Sequence, residues 1–139
     1  YWNSFVEYLE NSSSKLRPQD PRPKHWLTFT IGRSGFHMDA LLNTRDKKIS
    51  VELIITDKGE EKAFYHLLEK DKEAIEKEMG YALEWRENPD KTQSKIALCK
   101  NANPTDESNR NSQMEWLKNN LEKFDTVFRQ RIRSLNLSN

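Results

Sequence analysis

With 139 residues and a formal net charge of +1, the chain is long enough for one domain with a substantial core, but it lacks the cationic excess of a dedicated nucleic-acid binder. Aromatic residues make up 10% of it, which excludes a disordered tail, and its one cysteine excludes an intrachain disulfide and a zinc site built from several cysteines. No apolar run reaches the ~20 residues that span a bilayer. We therefore expect a cytoplasmic protein with no membrane partner, no metal and no other cofactor.

The chain is predicted to open with a helix followed by a linker. Trp2, Phe5 and Leu9 recur at helical spacing. Residues 17–23 contain three prolines, which favour an extended linker because proline biases its predecessor away from helix. Since the chain begins without methionine and is aromatic from its first residue, we predict that residues 1–139 form a single domain from the C-terminal part of a longer protein.

Three short runs then alternate between apolar and polar residues, over positions 26–31, 36–43 and 49–55. This period of two is typical of strands with one buried face, and the short connections between the runs predict an antiparallel meander. The positions that alternate with the apolar ones should line the open face of the sheet: Trp26, Thr28, Thr30, His37, Asp39, Asn43, Ser50 and Glu52.

The second half of the chain is predicted to contain two helices and two further strands. One helix starts at a capping box over positions 57–60 and stops at Gly80. Strands follow around Trp85 and Ile96, and a last helix starts at a second capping box over positions 112–115. The expected order is α-β-β-β-α-β-β-α. An antiparallel sheet of about five strands with helices packed on it defines an α+β fold.

Two acids on the predicted second and third strands suggest a nuclease of the restriction type. Asp39 and Glu52 are suitably separated for a pair of carboxylates that holds a divalent metal. That site also needs a lysine two residues after the second acid, where this chain has Ile54. We therefore interpret both acids as polar residues of an open sheet face. Cys99 lies away from any helix N-terminus that would activate its thiol, so no catalytic residue and no metal ligand is predicted.

Basic residues in the connections between strands are the best candidates for contacts with a partner. Residues 32–35, Gly-Arg-Ser-Gly, are interpreted as a hairpin turn, because a strand follows where a phosphate-binding loop requires a helix. An indole and an imidazole on the open face are able to stack on a base, although two acids on that face oppose binding. We expect Arg33 at one end of the sheet and Arg45 at the other. The predicted nucleic-acid contacts are Arg33, Arg45, Lys47, Lys48, Trp26 and His37.

Several short motifs together resemble a known family over essentially the whole chain. They are Tyr-Trp-x-x-Phe at 1–5, Pro-Lys-His-Trp at 23–26, Ile-Gly-Arg-Ser-Gly-Phe at 31–36, Ile-Ser-Val-Glu-Leu-Ile-Ile at 49–55, Leu-Glu-Trp at 83–85, Ser-Lys-Ile-Ala at 94–97, Glu-Trp-Leu at 115–117 and Phe-Arg-Gln-Arg-Ile at 128–132. The chain is similar in these motifs to the prokaryotic family catalogued as domain of unknown function 4268. The resemblance implies a C-terminal module beside a nuclease-like N-terminal domain, and it assigns no catalytic residue.

Three hypotheses about function follow from the sequence. The first is a non-catalytic accessory module of a nucleic-acid-processing or restriction-like defence protein, which contacts DNA or RNA through its basic hairpins. The alternative is a protein-interaction or dimerisation module, for which the aromatic first helix and the polar sheet face provide surfaces. The third is a degenerate restriction-type nuclease.

Overall fold

The computed structural model describes residues 1–137, which fold into an antiparallel five-stranded sheet with helices packed on one face. The strand order in the sheet is β1-β2-β3-β5-β4. This architecture confirms the predicted α+β class. The elements are α1 Trp2–Asn11, β1 Trp26–Thr30, β2 Phe36–Asn43, β3 Lys48–Ile55, α2 Glu61–Lys70, α3 Lys72–Met79, β4 Glu84–Arg86, β5 Ser94–Asn101, a 3-10 turn Glu107–Asn109 and α4 Arg110–Arg133.

One predicted helix is in fact two. Asp71 leaves the helical backbone with a ψ of 15°, so α2 stops at Lys70 and α3 starts at Lys72. Aspartate favours helix ends over helix interiors because its short carboxylate competes for nearby backbone groups. The stop at Gly80 is confirmed, since this residue takes the left-handed conformation with a φ of 89°.

Both predicted capping boxes are wrong. The N-cap of α2 is Glu60, which makes no capping hydrogen bond with its side chain. Helix α4 begins at Arg110, two residues before the predicted Ser112, because the preceding 3-10 turn already starts the helical path. That turn is capped by Asp106, whose side chain accepts a hydrogen bond from the Ser108 backbone N–H.

The core lies between the helices and one face of the sheet. Phe5 of α1 meets Phe29 of β1 at a ring-centroid distance of 6.3 Å, and Phe64 of α2 meets Phe36 of β2 at 5.3 Å. The long helix α4 contributes Phe124 among other fully buried residues. Because these contacts all lie on the side of the sheet predicted to be apolar, the alternation in the sequence assigned the helix-covered face correctly. The expectation of an open face on the other side is wrong for its centre, where Asp39, Ser50, Glu52 and Ile54 are buried.

The proline-rich linker lies along the outer edge of β1. The Gln19 backbone N–H donates to the Thr28 carbonyl at 2.8 Å, and the Thr30 N–H donates to the Arg17 carbonyl at 3.2 Å. Pro18 lies at the centre of this short pairing, opposite Phe29. A chain segment in that place covers backbone groups that an exposed edge strand would offer to another sheet. Within residues 1–137, no helix is both long and apolar enough to cross a membrane.

Candidate nucleic-acid interface at one end of the sheet

Strand register gathers three chain segments at one end of the sheet. Trp26 at the start of β1 lies opposite Leu41 of β2, and Lys48 at the start of β3 lies between Asn43 of β2 and Asn101 of β5. We call this region the hairpin end and define it as residues 24–26, 43–48 and 99–101. It contains four of the six predicted contact residues: Trp26, Arg45, Lys47 and Lys48.

The turn between β2 and β3 is held by its own polar residues. The Asn43 side-chain oxygen accepts from the Asp46 backbone N–H at 2.8 Å, and the Asn43 amide donates to an Asp46 carboxylate oxygen at 3.1 Å. Lys47 takes a left-handed conformation with a φ of 54°, which completes the reversal. The turn therefore uses its one acid internally.

The cations at the hairpin end have no acidic partner. Arg45, Lys47 and Lys48 are exposed, and none of them lies within 4.0 Å of a carboxylate in the described part of the chain. The same holds for Lys24 and Lys100. The Lys24 ammonium instead lies 5.2 Å from the ring centroid of Trp26, whose side chain is 42% exposed. Lys24 is thus adjacent to an exposed indole, at the same end of the sheet as four other cations without an acidic partner.

Arg33 lies at the opposite end of the sheet, where its guanidinium contacts other parts of the same chain. One guanidinium nitrogen donates to the carbonyls of Ile132 at 2.8 Å and Leu135 at 3.0 Å. The guanidinium also lies 4.9 Å from the ring centroid of Phe64 and 5.5 Å from that of Phe36. It therefore caps the C-terminal end of α4, where backbone carbonyls lack the hydrogen bond of a continuing helix and positive charge is favoured.

His37 also lies away from the hairpin end, in the row of residues that includes Thr30. Its Nε2 atom is 3.5 Å from a carboxylate oxygen of Asp39, which accepts a hydrogen bond from the Thr28 hydroxyl at 2.7 Å. The half-buried imidazole belongs to this polar cluster on the open face. The structure thus separates Arg33 and His37 from the other four predicted contacts.

A groove crosses the open face of the sheet next to the hairpin end. Its volume is about 570 Å³, and Arg45 and Lys48 lie on its hairpin side. Ser50, Arg86 and Cys99 line it further along the sheet. We call this feature the sheet groove. It is continuous with the cationic surface, since the same two basic residues belong to both.

An ion-pair network around Glu52 neutralises part of the groove. The Glu52 side chain is only 5% exposed, and its two oxygens lie 3.4 Å from Arg86 Nη1 and 3.3 Å from Lys95 Nζ. The geometry of the lysine contact is not that of a hydrogen bond, so Oε1 of Glu52 accepts none from any described residue. Arg86 also pairs with Glu84. Each of these carboxylates therefore has a cationic partner.

Cys99 lies inside this network as a neutral thiol. Its sulfur is 3.8 Å from a Glu84 carboxylate oxygen and 3.8 Å from an Arg86 guanidinium nitrogen. Burial raises the pKa of the thiol, and the negative charge of Glu84 raises it further, while Arg86 lowers it. The net direction is upward, opposite to that of a nucleophilic cysteine.

The two acids considered for a nuclease are direct neighbours across β2 and β3, because Asp39 pairs with Glu52 in the register. The lysine that the sequence lacks at position 54 is replaced in space by Lys95, which reaches Glu52 from β5. Among residues 1–137, no group of three or more histidine, cysteine or acidic side chains is arranged to hold a metal ion. Glu52 is instead compensated by two side-chain cations.

The sequence did not identify Arg86, Lys95 or Lys100 as members of the hairpin end, the sheet groove or the ion-pair network around Glu52. The alternation in β4 and β5 does place Arg86 and Lys95 on the open face. Their approach to Glu52 depends on the strand order β3-β5-β4, which brings a strand formed later in the chain next to β3. Local patterns carry no signal for that order.

The chain matches the family model described as Domain of unknown function (DUF4268) over residues 1–132. No curated protein and no solved structure matched the chain.

Proposed function

The chain belongs to the DUF4268 family of domains of unknown function, and we propose that it is a non-catalytic accessory module that binds nucleic acid through the hairpin end of its sheet. The observation that carries this proposal is the cluster of five basic side chains without an acidic partner: Lys24, Arg45, Lys47, Lys48 and Lys100. Absence of an ion pair alone does not distinguish these residues, because among the described cations only Arg86, Lys95, Lys118, Arg129 and Arg131 lie within 4.0 Å of a carboxylate. What distinguishes the hairpin end is that Arg45, Lys47 and Lys48 are exposed together within four positions of one turn, at the same end of the sheet as Lys24 and Lys100.

Unpaired cations favour a polyanionic partner. Each phosphate contact releases condensed counterions, so even a chain whose net charge is only +1 can gain affinity from a local cluster. The partly exposed indole of Trp26 lies within this cluster and offers a flat surface on which a base can stack. These two features together support a nucleic acid over a purely acidic protein partner.

The accessory character of the module is also part of the proposal. Cys99 is neutral and Glu52 is compensated, so neither group provides an activated nucleophile or general base. The partners we propose are DNA or RNA and a nuclease-like domain of the same protein, whose substrate the hairpin end would help to hold.

Titration of the domain against labelled DNA and RNA, followed by fluorescence anisotropy, tests this proposal. The informative variant replaces Arg45, Lys47 and Lys48 by glutamine, which removes three of the five unpaired charges. A matched control replaces three exposed lysines away from the hairpin end, Lys58, Lys70 and Lys77, by glutamine. The two variants have the same net charge, so only the position of the lost charges differs.

We expect wild type and control to bind alike, and the hairpin-end variant to bind at least tenfold more weakly at low salt, because each lost phosphate contact lowers the affinity. Equal affinities of all three proteins would contradict a role for this surface. Absence of binding to every nucleic acid would favour the alternative, a protein-interaction module that uses the open sheet face.

A further inference from the structure

We propose that the sheet groove receives one unpaired nucleotide of a single-stranded DNA or RNA that is held at the hairpin end. This inference rests on the proposed function and adds the class of substrate. With such a site, the module would bind single strands or strand ends selectively, whereas cations alone would bind any polyanion.

The size and place of the groove fit this role. Its volume of about 570 Å³ falls in the range of pockets that enclose small molecules, roughly 300 to 1,000 Å³. Arg45 and Lys48 line the groove and also belong to the hairpin end. A strand whose phosphates contact these two side chains therefore has a pocket for a base directly beside its backbone.

The distribution of charge within the groove separates the position of a phosphate from that of a base. Among the acids lining it, Glu52 and Glu84 are paired with Arg86. Asp46 keeps its negative charge at the rim, since its one side-chain partner is the neutral Asn43 amide, and it leaves a net positive charge there beside Arg45 and Lys48. The free positive charges are those at the hairpin rim. A phosphate is thus favoured at the rim, and an uncharged base is favoured over the compensated floor.

The chemistry of the floor suits a flat group with polar edges. Leu41 and the neutral thiol of Cys99 supply apolar contact area, while the Ser50 hydroxyl, the Glu84 carboxylate and the Arg86 guanidinium supply acceptors and donors. A base presents an apolar face together with polar edges. Bases of a duplex are stacked and paired and cannot enter without extrusion, so single strands should be strongly preferred.

The lone cysteine allows a test on the unmodified protein. Cys99 lines the groove and is the one cysteine in the chain. We would measure the rate of its modification by a maleimide reagent with saturating oligothymidylate, oligouridylate or a DNA duplex, each at about ten times its Kd. Either single strand should slow the reaction about tenfold, in line with its occupancy, while the bound duplex should leave the rate within about twofold. Because both strands are used at the same occupancy, their Kd values, and not the degree of protection, distinguish DNA from RNA as the source of the nucleotide.

Two variants distinguish the contribution of the groove to binding from that of the cations at its rim. Ser50→Leu fills the floor, and we expect it to abolish the preference for single strands while duplex binding persists. Lys47→Gln lies outside the groove lining, and we expect it to weaken binding of both forms while saturating single strands still protect Cys99. Should Ser50→Leu fail to fold, the measurement on the wild-type protein still decides.

The outcomes distinguish the two proposals. Binding without protection of Cys99, or equal protection by duplex and single strand, would overturn the nucleotide site and leave the hairpin-end surface intact. No binding of any of the three probes would overturn both.

Discussion

Arg33 is expected to act through the fold and not through a ligand, and replacing it by methionine tests this assignment. The substitution keeps a long flexible chain but removes the guanidinium that donates to the carbonyls of Ile132 and Leu135 at 2.8 and 3.0 Å. It also removes a cation that lies over the rings of Phe36 and Phe64. Both sets of contacts connect the β1–β2 turn to helices that cover the sheet.

The expected loss of stability follows from these contacts. A hydrogen bond that involves a charged group contributes about 1.5–3 kcal/mol, and a cation over an aromatic ring adds about 0.5–1 kcal/mol. The contributions share one side chain and are not additive, so we expect Arg33→Met to lower the free energy of unfolding by about 3 kcal/mol. For a domain of this size, that corresponds to a fall in Tm of about 10 °C.

Urea unfolding followed by tryptophan fluorescence measures this loss, with Arg45→Met as the matched control. Arg45 is exposed and has no ion-pair partner among the described residues, so its replacement should change stability by less than about 0.5 kcal/mol while it weakens nucleic-acid binding. The reverse pattern, a stable Arg33→Met protein that no longer binds, would refute the assignment. Arg33→Lys should restore little stability, because the lysine side chain is one bond too short to bring its ammonium to the position of the Nη1 atom that donates to both carbonyls.

Three further predictions concern strands β4 and β5 and the side chains that hold the segments next to them. Lys62→Met should lower the free energy of unfolding by about 3 kcal/mol, since the ammonium lies 2.6–3.0 Å from three carbonyls and one hydroxyl of residues 87–94. A loss below about 0.5 kcal/mol would argue against a stabilising role of these hydrogen bonds. Hydrogen bonds from the Leu83 N–H and, to a smaller extent, the Trp85 indole lower the pKa of Glu76. The ionised Glu76 carboxylate therefore stabilises the fold at pH values above the pKa that Glu76 has in the unfolded chain. This stabilisation is lost as the pH falls through the pKa that Glu76 has in the folded protein. Wild type should therefore lose more stability than Glu76→Gln between about pH 5 and about pH 3 in urea titrations, and parallel curves would contradict the linkage. Because Glu84 raises the pKa of the Cys99 thiol, Glu84→Gln should speed alkylation of that cysteine by iodoacetamide near pH 8 by a few-fold, and an unchanged rate would show that burial alone sets its reactivity.

Much of the fold could be predicted from periodicity. The alternation from Leu27 to Ile55 predicted three strands and the helix-covered face of the sheet, because a buried face imposes a period of two on neighbouring side chains. It did not predict that β3 is buried on both faces. The break at Asp71 and the start of α4 were missed, since helix ends depend on a few local hydrogen bonds that compete closely. Capping motifs alone did not decide these ends.

The candidate site could be predicted only in part. Arg45, Lys47 and Lys48 were identified because hairpin turns lie at the surface. Arg33 has the same local signature, but its partners lie about a hundred positions later, in the final helix. No local pattern separates an arginine that meets solvent from one that caps a distant helix, so the distinction needed the tertiary structure.

The central claim is that the hairpin end binds nucleic acid through unpaired cations, and the salt dependence of binding tests it most directly. If all five contact phosphates of a single strand, log Kd should change with log salt by about 3.5, so that affinity falls about 100-fold between about 50 and 200 mM salt. The variant with glutamine at 45, 47 and 48 should show a slope of about 1.4 and a fall of about sevenfold. Identical slopes for the two proteins would contradict the account.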